Sequence, residues 1–196
     1  IGKIMTNSRS KTETLSKTCR TYLQELAVEE MYGKRKEFSS KYTDKGNQVE
    51  DDGIKLCESV LDLGFMYKNE EHFTNDFLTG TPDVNTDIIL DVKSSWDATT
   101  FPFFADDIPN KDYFYQLQGY MALTGKRKSY LCYCLINTPE LMVEDEVRRA
   151  HWKENLIDES EELRNHVEAQ HNFDNIPAER RIKTFEVRYD KDVVKA

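Results

Sequence analysis

Residues 82–93 read Pro-Asp-Val-Asn-Thr-Asp-Ile-Ile-Leu-Asp-Val-Lys, two strand-like segments that carry Asp83, Asp91 and Lys93 within them. A charge inside a strand is expensive unless a partner offsets it, so this stretch restricts the sheets the chain can build. Residues two apart on a strand share a face. Asp91 and Lys93 therefore point the same way as Ile89, while Leu90 and Val92 point into a core. A two-residue turn at Asn85 and Thr86 would pair Asp83 with Ile88 and bury an unpaired carboxylate beside Leu90. A loop of residues 86–88 instead sets Asp83 directly opposite Asp91, and sends Pro82 and Val84 to the apolar face with Leu90 and Val92. Directly opposed residues have Cβ atoms roughly 5 Å apart. Two carboxylates that close repel unless a cation joins them. A hard divalent ion, Mg²⁺ or Mn²⁺, suits carboxylate, carbonyl and water oxygens. Lys93 would reach that ion's water shell, where an ammonium can orient an attacking water and stabilise charge building on a phosphate. The competing reading makes Asp83 a turn cap, and Asp91 and Lys93 exposed edge charges.

Around this hairpin the pattern predicts the order α-α-β-β-α-β-α-β. Residues 12–32 form a helix, with Leu15, Cys19, Tyr22, Leu23, Leu26 and Met31 at roughly helical spacing. Residues 39–63 form a second, with a stripe of Val49, Ile54, Cys57, Val60 and Leu61 and a stop at Gly64. Two strands span 77–94, and an aromatic-rich loop with Pro102 and Pro109 spans 96–110. A helix over 111–124 ends at Gly125, and "SYLCYCLIN" is a buried strand bounded by Pro139. Residues 139–170 are charged and helical in pattern, and residues 181–190 alternate as a half-exposed strand would. The expectation is a single domain over 1–196: an α/β fold with a small mixed sheet flanked by helices on both faces.

With 38% hydrophobic and 11% aromatic residues, the chain is read as globular rather than disordered. No apolar run approaches the ~20 residues needed to span a membrane. No signal peptide is visible at its start, and since it opens on Ile1 and stops soon after a strand-like stretch, both ends are read as trimmed. Cys19, Cys57, Cys132 and Cys134 form no C-x-x-C pair and read as core thiols of an intracellular protein. A net charge of −9 argues against a general nucleic-acid coat but leaves room for a nuclease, whose own carboxylates add negative charge. The basic clusters Lys34-Arg35-Lys36, Lys126-Arg127-Lys128, Arg148-Arg149 and Arg180-Arg181 are short, and each alone reads as a solvated face.

Pro82-Asp83 followed by Asp91-Val92-Lys93 resembles the signature of the PD-(D/E)XK nuclease superfamily. Two further pieces resemble its RecB-like and phage-exonuclease branch. "KGNQVEDD" places Glu50 four residues after Gly46, like a G-x-x-x-E motif, and "QLQGY" supplies Gln116 and Tyr120, like a Q-x-x-x-Y motif. The pieces come in the family's order over residues 46–120. The resemblance implies a restriction-endonuclease-like core with Asp83, Asp91 and the Val92 carbonyl as metal ligands, and Lys93 positioning the nucleophilic water. Glu50 would bind a metal or hold the site in shape, Gln116 would contact the DNA backbone or the active site, and Tyr120 would support it. Glu50 also fits a solvated helix residue, and Tyr120 a core aromatic. Nothing cysteine-like follows Cys134, so the iron–sulfur ligands of a CRISPR-adaptation branch are missing, and no such cluster is expected. That leaves the YqaJ-like and lambda-exonuclease-like phage proteins as nearest kin.

The resemblance implies a Mg²⁺-dependent (Mn²⁺ as an option) DNA exonuclease processing double-stranded ends for recombination or repair. It would work in the cytoplasm of a bacterium or phage-infected cell. It would be a ring-like homo-oligomer whose basic clusters line a shared channel, with a single-strand annealing protein as a candidate partner and no membrane. The rivals are a structure- or sequence-specific endonuclease of the same fold, and a non-catalytic DNA-binding protein. Trp96, Phe101, Phe103 and Phe104 either stack on a duplex end or pack the loop's own core. His72, His151, His166 and His171 have no metal-ligand spacing and read as surface or structural residues.

Overall fold

The computed structural model describes residues 2–35, 39–156, 158 and 160–195. Its centre is a mixed sheet of β3 (Val84–Asn85), β4 (Ile89–Ser94), β5 (Lys128–Cys134) and β6 (Ile182–Arg188), in that spatial order. β3–β4 and β5–β6 are antiparallel and β4–β5 is parallel. A parallel neighbour requires a crossover, supplied by α3 (Lys111–Thr124) between β4 and β5. α2 (Lys41–Val60) packs on the opposite face.

The alternation along β4 explains the two layers. Leu90 and Val92 join Val84, Cys132, Cys134, Val49, Ile54 and Cys57 beneath α2. Ile89 joins Leu131, Phe185, Val187, Leu117 and Met121 beneath α3. β4 is thus covered on both sides, and the face expected to carry the charged residues is itself buried. α2 approaches unusually closely: a Cβ at Gly53 would lie 2.7 Å from Val92 Cγ1. All four cysteines are buried and free, with Cys57 and Cys134 sulfurs 3.6 Å apart, as expected of core thiols.

Several element boundaries differ from the expected ones. α1 is Lys17–Tyr32, five residues later than the pattern implied, because the Ser16 hydroxyl accepts from Cys19 N–H and caps it there. Only Cys19 of its expected apolar stripe is buried, while Leu15, Leu23, Leu26 and Met31 are exposed. α2 ends at Val60 rather than at Gly64, since Leu61 turns extended. A small hairpin of β1 (Phe73–Thr74) and β2 (Thr79–Gly80) lies ahead of the β3–β4 hairpin; β1 falls before the two strands expected over 77–94. The charged region from 139 to 170 is two helices, α4 (Glu140–Lys153) and α5 (Glu161–His171), broken where Asn155 adopts φ 55°. Residues 157 and 159 of that region, and Lys36 of the first basic cluster, lie outside the described residues. Arg164 Nη2 holds Glu144 at 3.2 Å across the pair. β5 stops at Cys134, three residues before the expected end, and α6 (Lys191–Lys195) follows β6.

Gly53→Ala should lower stability by about 1–2 kcal/mol, the overpacking against Val92 exceeding the helix-propensity gain. Urea denaturation followed by circular dichroism checks this, and an unchanged midpoint would contradict the close packing of α2 on β4.

Candidate active site

The observed β3–β4 pairs are Val84 with Leu90 and Asn85 with Ile89. One more step along this register sets Asp83 across from Asp91, so residues 86–88 form the loop that the charge-sorting argument required. Pro82 and Val84 are buried on the apolar side. Two neighbours hold this hairpin, and neither was foreseen from the sequence. The Asn69 side-chain amide donates to Pro82 O at 3.0 Å, and its backbone N–H donates to Asp83 O at 2.8 Å. Lys126, from the second basic cluster, donates to Asn85 Oδ1 at 2.5 Å and also to Thr86 O.

Asp91 is fully buried, and among the described residues no well-directed hydrogen bond reaches either of its carboxylate oxygens. Its charge partner is Lys93, whose Nζ lies 2.5 Å from Asp91 Oδ2 and 3.4 Å from Val92 O. Asp83 Oδ2 accepts from Val92 N–H at 2.7 Å. Burial, then the neighbouring Asp91 charge, pushes the Asp83 carboxyl up to about 7, against the pull of Lys93 and the Val92 N–H. Burial works against the Lys93 ammonium, but the two aspartates outweigh it and raise its pKa.

The ammonium therefore stands in for a cation between a carboxylate oxygen and a main-chain carbonyl. Two carboxylates and a carbonyl are hard oxygen donors that suit Mg²⁺ or Mn²⁺. Among the described residues, no group of three His, Cys, Asp or Glu side chains is assembled to hold a metal. Glu50 faces the same cavity from α2, with its carboxylate 3.3 Å from Lys68 Nζ.

Asp83, Val92, Lys93, Glu50 and Gln116 line one open cavity of ≈ 560 Å³, walled by Tyr42, Trp96, Tyr113 and Tyr133. Gln116 and Tyr120 share a face of α3, and Gln116 Nε2 donates to Tyr120 Oη at 2.8 Å. Burial, then Asp91, pushes the Tyr120 hydroxyl up to about 12. The Lys93 ammonium lies 5.0 Å from the centre of the Tyr113 ring.

Lys45 is another residue that the sequence reading passed over. It is fully buried, and its ammonium donates to Ser95 O at 2.8 Å and Trp96 O at 3.0 Å. Burial pushes it down to about 8, with Asp97 opposing. It ties α2 to the chain just beyond Lys93. A signal was present: Lys45 falls on the buried helical stripe with Val49, Gly53 and Leu56, where an apolar residue is the rule.

The aromatic loop divides. Trp96 and Phe101 pack inside, while Phe104 is 91% exposed. The basic clusters are largely engaged in local contacts: Arg127 stacks on Tyr189, Lys128 pairs with Glu186, Arg148 with Asp145 and Arg149 with Glu146. His171 is buried against Thr138, and His72 and His151 make local hydrogen bonds, as structural residues do.

Comparison with solved structures gives the fold a context. A phage-related exonuclease from Haemophilus somnus 129PT superposes with a TM-score of 0.77 at 29% identity, over 99% of this chain and 84% of that one. This likeness supports placing the chain with the phage-exonuclease branch of the PD-(D/E)XK nucleases. The alkaline exonuclease LHK-Exo of Laribacter hongkongensis shares the fold, with a TM-score of 0.61 at 13% identity over 99% of this chain and 77% of that one. LHK-Exo in complex with dAMP gives a TM-score of 0.60 at 15% identity. No family model and no curated relative matches the sequence, so the kinship is read from the fold.

The raised Asp83 carboxyl has a thermodynamic consequence. Unfolded, it titrates near 4; folded, at about 7. Between those values the folded state holds more protons, so its contribution makes the metal-free protein less stable as pH rises. Asp83→Asn should raise the thermal midpoint in chelator at pH 8, by the equivalent of about 1–2 kcal/mol, and by less at pH 5. A thermal melt at the two pH values reads this directly; equal shifts at both would contradict the coupling of Asp83 with Asp91.

Proposed function

We propose that the chain is a metal-dependent DNA exonuclease that hydrolyses phosphodiester bonds at the ends of duplex DNA for recombination or repair. The observation that carries this reading is the cluster of Asp83, Asp91 and Lys93, with the Val92 carbonyl, on one register of a buried hairpin. The likeness to a phage-related exonuclease supports it, and the binding of dAMP by a protein of the same fold is consistent with a nucleotide product.

Asp83, Asp91 and the Val92 carbonyl would hold Mg²⁺ or Mn²⁺, with Glu50 beside them at the cavity wall. The metal, when bound, supplies charge neutralisation at the phosphate and a more acidic water. Lys93 orients the water that attacks phosphorus in line, and the bond to the 3′ oxygen breaks. Were Asp83 and Asp91 to hold the metal, the Lys93 ammonium would no longer be needed as the charge partner of Asp91 and could turn to that water. Gln116, braced by Tyr120, stands at the cavity wall beside the bound DNA. The strand left behind is a substrate for a single-strand annealing protein, the partner class this activity implies. The setting is the cytoplasm of a bacterial or phage-infected cell; among the described residues no helix is long and apolar enough to cross a membrane.

The test is digestion of end-labelled linear duplex and closed circular DNA, with Mg²⁺ and with chelator. Linear DNA should shorten from its ends only with the metal, and circles should stay intact. Cutting of circles would favour an endonuclease. Lys93→Ala should lower the rate at least about 100-fold while leaving binding of the duplex in chelator largely unchanged. Wild-type protein that binds but never cuts would identify a silent member of the fold.

A homo-oligomer belongs to the same reading. It is supported by the exposed apolar side chains of α1, among them Leu23, Leu26 and a Met31 that is 73% exposed. Light scattering should give a multiple of the 23.0 kDa chain mass, and Leu23→Glu with Met31→Glu should reduce it to one chain. A wild-type monomer at micromolar concentration would contradict this part.

A further inference from the structure

A second cavity, of ≈ 400 Å³, lies beside the first and shares Tyr113 and Gln116 with it. Its volume falls within the range of small-molecule sites. Its walls are chiefly rings and hydrocarbon: Tyr22, Leu78, Tyr113, Tyr120 and Leu123. Gly80 makes room for one of them, since a Cβ there would lie 2.6 Å from Tyr120 Cε1 and drive the ring out of place.

The polar groups at the shared wall are unspent. Gln116 uses its amide N–H on Tyr120 Oη. Among the described residues neither Gln116 Oε1 nor the Tyr120 hydroxyl hydrogen has a further partner. One free acceptor and one free donor thus face an aromatic slot. The cavity is unsuited to a phosphate. Lys3 at its rim is paired with Glu25 at 3.5 Å, and the Asp112 carboxylate lines it. A ligand that fills both cavities must place an anionic phosphate by Lys93 and a flat, hydrogen-bonding, uncharged group beyond Gln116. A nucleotide has that composition.

We propose that the second cavity is a nucleobase subsite, taking the base next to the scissile phosphate between Tyr22, Tyr120 and Leu123, with Gln116 and Tyr120 at the base edge. This rests on the nuclease reading and extends it: the enzyme would grip the base flanking the cut as well as the backbone. Base–aromatic stacking tolerates every base, so the subsite carries little sequence preference.

The test uses a DNA strand with 2-aminopurine at the first or second position from its end, in chelator, so that no cleavage is needed. Fluorescence should be quenched at one of the two positions on binding to wild-type protein. Leu123→Trp, which fills the cavity, should abolish that quenching while fluorescence anisotropy still reports binding. Thr79→Trp, at an exposed strand position lining the same cavity, serves where Leu123→Trp does not fold. With Mg²⁺, an abasic analogue at the quenched position should lower kcat/KM for wild-type about tenfold or more, and should leave the filled variant unaffected. A bound strand with no quenching at either position, or equal cleavage of abasic and intact strands, would overturn the subsite. Quenching without cleavage would support the subsite and overturn the nuclease reading instead.

Discussion

Two carboxylates face each other across one antiparallel pair in a sheet covered on both sides, and the remainder of the site is organised around offsetting that arrangement. Nothing in the apolar layers would tolerate Asp91 without a cation. In the structure that cation is the ammonium two residues along the same strand. The strand periodicity that buries Leu90 and Val92 beneath α2 is what delivers Asp91 and Lys93 together beneath α3. Chemistry and packing are therefore read from the same alternation, and a one-residue slip would lose both.

Such an arrangement persists only where its surroundings hold it. Asn69 fixes the backbone on both sides of the Pro82–Asp83 peptide, Lys126 fixes the loop, and Lys45 fixes the chain after Lys93, each through main-chain carbonyl oxygens. These are polar groups satisfied inside the protein, and they leave little freedom to the atoms that would bind a metal. Gly53 adds a steric constraint by letting α2 rest against Val92, whose carbonyl is one of the candidate ligands. The site is thus built from rigid elements, with Gln116 and Tyr120 brought in on the second helix layer.

The acidic composition bears on how a polyanion would be held. A net charge of −9 offers no long-range attraction to DNA. The short basic clusters are mostly occupied locally, by Glu186, Asp145, Glu146 and the Tyr189 ring. Under the proposed function, binding would come from within the cavities, through a metal at the phosphate and aromatic walls at the base. The exposed apolar side chains of α1 and the exposed Phe104 are surfaces that the single chain leaves uncovered.

The sequence alone determined the hairpin register, the apolar face of Leu90 and Val92 on β4, the helix over 111–124 and the family motifs. These follow from local periodicities and from the cost of burying charge, which act within a few residues. Tertiary structure decided the rest. Nothing in the chain near residue 69 or 126 shows that Asn69 and Lys126 clamp a hairpin, because their partners are 13 to 41 residues away. The exposure of the α1 stripe, the break between α4 and α5, and the pairing of Glu50 with Lys68 have the same origin. An amphipathic pattern states that a face wants cover, and a charge states that it wants a partner, but which surface supplies either depends on how distant segments meet.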